Sequence, residues 1–224
     1  MKINPKYTQI DCKESKEPDF RQANAVKKLK PDIIILEYPN DNPTPSLEFN
    51  NFPAEKKPAR LTKPLLRKFS PAVLKIHPWA VSDNFMWRNV LDHWNAGHQI
   101  MIYSVDAPPE LTSEWLEVWN HMYPCAKKNW LWWVQIYLRE RIMANHVSWI
   151  LDNYSESLEP TTLVFLQKFH WDHVKFLMAN DSPDKIWDYY FGKFDEIDRE
   201  TIRARIDKNN KVFLKYWDKY SDFV

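Results

Sequence analysis

Glycine is almost missing from this sequence: among 224 residues only Gly97 and Gly192 occur. A loop that cradles phosphate needs several glycines, because its backbone N–H groups must approach the anion closely. P-loop and dinucleotide-binding fingerprints are therefore excluded by count alone. So are nucleophile elbows of the Gly-x-Ser-x-Gly type. Cysteine is nearly as scarce. Cys12 and Cys125 show neither metal-ligand spacing nor a disulfide framework. No apolar run reaches the ~18 residues of a membrane helix, so no membrane partner is expected. The stretch MKINPKYTQIDCKE lacks the apolar core of an export signal. The expectation is a cytoplasmic protein with two free thiols.

An excess of either charge is also lacking. Lys+Arg total 31 and Asp+Glu 30, a net charge of +1. A general nucleic-acid binder carries a strong basic excess. The basic residues of 199–219 are interleaved with Asp195, Glu196, Asp198, Glu200 and Asp207, as on a solvated helix face. No nucleic-acid partner is expected.

What is present is a core. The hydrophobic fraction is 44%, and the chain is tryptophan-rich, with 12. The length suits a single domain over 1–224. Two segments stand out within it: a Pro/Lys-rich insertion at about 40–71, and a helical extension at about 183–224. The run Ile33–Leu36 is apolar and uninterrupted, β-branched over its three isoleucines, as in a strand buried on both faces of a parallel sheet. Residues 98–105 and 162–166 read as two more strands, and 7–11 as a short one. Helical spacing of apolar residues predicts helices over 18–29, 82–96, 111–122, 126–154, 171–178, 184–191 and 195–216. Gly97 is the expected C′ stop of the second. The insertion is expected to hold short helices, for example over 61–69. Alternation of strand and helix implies an α/β fold. The sheet should be small and mostly parallel, of about four or five strands, flanked by helices in a helix-rich chain.

In the longest predicted helix, Trp132, Ile136, Ile142, Met143, Val147 and Ile150 form one apolar face. Arg139 falls near its centre, with His146 beside it. A guanidinium aimed into a core needs a carboxylate, because an unpaired buried charge costs several kcal/mol. Ligands of open α/β sheets bind beyond the carboxyl ends of the strands. That rule selects Glu37 after the first clear strand and Asp106 after the second. After the third it selects His170, with His173 one turn on. Glu37 or Asp106 is then the natural countercharge for Arg139. A Glu, an Asp, a His and an Arg meeting at one edge would suit catalysis or metal binding. Each also has a structural explanation: Glu37 as an ion-pair partner, Asp106 as a turn or cap residue, His146 as a hydrogen-bonded core histidine, and His170 and His173 as capping residues.

Three stretches together resemble the TraB/Tiki and erythromycin-esterase-like superfamily. They are the strand ending in Glu (IIILEYP, Glu37), an Arg-acidic-x-x-Met-Ala motif on a helix (Arg139, Glu140, Met143, Ala144), and a late strand leading to a histidine (LVFLQKFHWDH, His170). The resemblance implies an α/β fold with a catalytic site of Glu37, Arg139 and His170. Asp106, His146 and His173 are the further binding candidates. It implies hydrolysis of an ester or peptide bond, with or without a divalent metal, because the superfamily contains both a metal-dependent peptidase and a metal-independent esterase. The substrate would be a small molecule or a peptide. The chain departs from the pattern in two places. YTQIDCKESKE lacks the N-terminal Gly-x-x-His, and Lys168 and Phe169 stand where a glycine precedes the late histidine. The alternative is a catalytically inactive ligand-binding or regulatory protein on the same fold.

Overall fold

In a computed structural model, the structure describes residues 7–10, 19–37, 47–48, 59–61, 78–106, 130–154 and 160–221. Its strands are β1 (Tyr7–Gln9), β2 (Ile33–Leu36), β3 (Leu47–Glu48), β4 (Ala59–Leu61), β5 (Met101–Ser104) and β6 (Thr162–Phe165). Its helices are α1 (Arg21–Leu29), α2 (Pro78–Asn95), α3 (Trp130–Tyr154), α4 (Lys168–Ala179), α5 (Pro183–Phe191) and α6 (Glu196–Ser221). The result is a helix-rich α/β fold. The chain divides into two compact units. Unit 1 comprises Met1–Asn50, Pro58–Val105 and Ile150–Trp171; unit 2 comprises Asn51–Lys57, Asp106–Trp149 and Asp172–Val224.

Unit 1 carries one sheet, in the order β1-β6-β2-β5-β4-β3. The first four strands are parallel, with Ile33 opposite both Met101 and Thr162. The sheet then gains two short antiparallel strands, β4 against β5 and β3 against β4. Both come from the insertion, where helices were expected. Leu61 ends β4, and the remainder of the expected helix over 61–69 lies outside the described residues. The expected helix over 111–122 also lies outside them.

Every residue of β2 and β6 is buried, as their apolar runs imply. On one face, Ile34, Leu36, Ile102, Leu163 and Phe165 pack with Ala23 and Val26 of α1 and with Met86, Trp87 and Val90 of α2. Burial of one such large side chain contributes roughly 1.5–3 kcal/mol. Two α2 side chains also reach α1 carbonyls: Asn89 donates to Ala23 O at 2.7 Å, and His93 Nε2 lies 3.0 Å from Val26 O. Gly97 takes φ +84°, and the N–H groups of Gly97 and His98 bond back to Trp94 and His93. This is the αL stop expected there.

Unit 2 is built from helices. Trp132, Val134, Ile136 and Leu138 of α3 pack with Tyr190 and Phe191 of α5 and Ile202 of α6. Ile197 of α6 is 84% exposed. The inward stripe of α6 is Ile202 with Ile206, and Ile197 lies about 140° around the helix from Ile202 at 100° per residue. Among the described residues no helix is long and apolar enough to cross a membrane.

Candidate functional site

The candidate residues separate into three constellations. The first lies in unit 1, at the carboxyl ends of neighbouring parallel strands. Glu37 follows β2 directly, and its backbone N–H donates to Phe165 O, so β-type pairing continues to the site. Its Oε2 accepts the backbone N–H of Gln167 at 3.4 Å. That N–H belongs to the two-residue link between β6 and α4. Helix α4 begins at Lys168, three residues earlier than the apolar spacing suggests, so His170 sits in its first turn. His170 Nε2 stands 3.9 Å from Glu37 Oε1. The histidine side chain is 5% exposed and the glutamate 16%. The gap exceeds direct hydrogen-bond range. Around this pair, Phe169 meets the His170 ring edge-on at 5.3 Å, and Tyr7 of β1 meets Trp171 at 5.1 Å.

The second constellation answers the question posed by Arg139. Its countercharge in unit 2 is Asp106. Arg139 Nε and Nη2 donate to the two carboxylate oxygens at 2.7 Å each. This fork-on-fork geometry is the strong form of the ion pair. Asp106 is 1% exposed in its side chain and Arg139 15%. His146, on the same helix, is buried as expected.

The third constellation is one that sequence reasoning missed. The fully buried charge on α3 is Glu140, not Arg139. Its Oε2 accepts from His173 Nδ1 at 2.6 Å and from the Tyr190 hydroxyl at 2.8 Å. Two donors on one oxygen make burial of the carboxylate tolerable. Burial, then the negative charge of Glu140, raise the Tyr190 hydroxyl far above its ordinary pKa. The same causes, with Asp172, raise Tyr189. Trp133 stacks on the His173 ring at 6.0 Å with 19° between planes. Lys193 Nζ sits 3.4 Å from the Trp133 centroid, a close cation–π contact. Partial burial lowers the Lys193 pKa. The signal for Glu140 was a second helical stripe, Trp133, Tyr137 and Ala144, which places position 140 among aromatics.

His173, expected as a binding residue, is thus tied through Nδ1 to a buried carboxylate. Such an arrangement fixes the ring's tautomer and orientation. Among the described residues, no group of three or more His, Cys, Asp or Glu side chains is placed to hold a metal ion. Comparison with known proteins adds no relative: no family model, no curated protein and no solved structure matches the chain.

Proposed function

We propose that the chain is a hydrolase acting on an ester or peptide bond, with Glu37 and His170 as its acid–base pair. One observation carries this reading: a glutamate and a histidine converge, 3.9 Å apart, where the neighbouring parallel strands β2 and β6 of unit 1 end. Ligands of parallel sheets bind at that edge. In the proposed reaction Glu37 takes a proton from water as it attacks the carbonyl carbon. His170 gives a proton to the departing oxygen or nitrogen, and a proton relayed from Glu37 to His170 through a solvent molecule across the 3.9 Å gap restores the pair. The Gln167 N–H orients Glu37. A divalent ion, if held by the same two side chains, would supply Lewis-acid activation of that water. Arg139 has no step in this scheme, because Asp106 engages it through two hydrogen bonds.

The three-stretch resemblance to TraB/Tiki and erythromycin-esterase-like proteins supports the same reaction class. The test is a panel of activated esters and short peptides, run with and without chelator. A chelator-sensitive rate selects the metal route. Positioned acid–base groups contribute about 10²–10⁴-fold. Glu37→Gln and His170→Ala should each lower turnover by about 100-fold or more. Wild-type turnover in either folded variant removes the assignment.

A further inference from the structure

Unit 2 holds a cavity of about 620 Å³ between α3, α4, α5 and α6. Small-molecule sites span roughly 300–1,000 Å³. The apolar part of its wall includes Leu177, Ile186, Trp187 and Phe191. Two guanidinium groups, Arg141 and Arg203, and two carboxylates, Asp181 and Asp207, line the same space. Among the described residues, none of the four forms an ion pair. Arg141 donates to the Tyr137 hydroxyl at 3.3 Å. Asp207 stands four residues after Arg203, the spacing of an ordinary helical ion pair. Arg203 instead lies over the Trp187 ring, 5.0 Å from its centroid. Trp187 in turn has a buried indole N–H with no acceptor among the described residues.

We propose that this cavity binds a short peptide of apolar residues with both termini free. The peptide's carboxylate meets Arg141 and Arg203, its ammonium meets Asp181 and Asp207, and its side chains lie against Trp187 and Ile186. Charge balance selects this ligand class. A simple anion would meet two carboxylates along with its guanidiniums, and a simple cation the reverse. A zwitterion on an apolar body answers all four charges and the apolar wall together. This inference is independent of the hydrolase reading, since Glu37 and His170 belong to unit 1.

The test is calorimetric titration of the full chain with leucyl-phenylalanine, its N-acetyl form, its C-amide and the doubly blocked peptide. The free dipeptide binds, each single block weakens binding about tenfold, and the double block weakens it further. Arg203→Gln, a change at an exposed position, weakens the free dipeptide about tenfold and leaves the C-amide nearly unchanged. Trp187→Ala removes the largest part of the apolar wall and weakens every peptide in the set. Equal affinity for the free and doubly blocked peptides overturns the proposal. So does the absence of any binding of the free dipeptide up to millimolar concentration.

Discussion

Among the described residues stand two carboxylate–histidine pairs, one in each unit, and they are built differently. Glu140 and His173 are in contact at 2.6 Å, the carboxylate is fully buried, and Tyr190 supplies a second donor. Glu37 and His170 stand 3.9 Å apart, and the carboxylate is 16% exposed. The same two residue types thus serve two ends. A short, doubly satisfied, dry contact contributes to stability, because its members have little left to offer a ligand. A longer, partly wet one can accept a third partner and move a proton. Contact alone does not mark a catalytic pair; in this molecule the looser pair is the candidate.

Breaking the tight pair should have the largest effect on stability. Glu140→Ala leaves the His173 and Tyr190 donors buried without their acceptor. The expected loss is about 3–5 kcal/mol, read from urea unfolding. Asp106→Asn removes the charge that faces Arg139 and weakens its two-bond fork. Its cost should be about 2–3 kcal/mol by the same measurement, smaller because Arg139 is partly exposed. Tyr190→Phe removes one hydrogen bond to a carboxylate, about 1.5–3 kcal/mol at neutral pH.

The Tyr190 variant also sharpens the comparison through pH. The folded-state pKa of Tyr190 is raised above the ordinary 10.0. Its stabilising contribution is therefore whole below pH 10. It declines as pH rises above 10, where the unfolded chain ionises and the folded chain resists. The slope from one such group is about 1.4 kcal/mol per pH unit. Tyr190→Phe should flatten the alkaline fall in stability, leaving a weaker dependence from Tyr189, whose pKa is raised by the same causes. An unchanged alkaline slope would show that Tyr190 is not held neutral by Glu140 and burial.

Much of the parallel sheet was legible in the sequence. Ile33–Leu36 announced itself by an uninterrupted apolar run with three β-branched isoleucines, and Gly97 by its place after a helix. The antiparallel strands β3 and β4 were not legible. At two and three residues they are too short for any period to show, and strand pairing decides them, β4 on β5 and β3 on β4. In the site, the strand-end rule led to Glu37, Asp106 and His170, and Asp106 was one of the two partners named for Arg139. Glu140 entered only as the acidic member of the helix motif and not as a buried charge, because it follows Arg139 directly and faces a different stripe of α3. Its partners lie 33 and 50 residues away, on α4 and α5. Sequence spacing reports faces of one helix; it does not report which faces of distant helices meet.

The smallest stability effect belongs to the looser pair. Glu37→Gln keeps an acceptor for the Gln167 N–H on a partly exposed side chain, so it should cost under about 1 kcal/mol. That modest cost makes it the most direct test of the central claim. Turnover and urea midpoint are measured on one preparation of Glu37→Gln with a substrate the wild type hydrolyses. The account predicts a nearly unchanged midpoint with turnover reduced about 100-fold or more. A folded Glu37→Gln protein that retains wild-type turnover would contradict it.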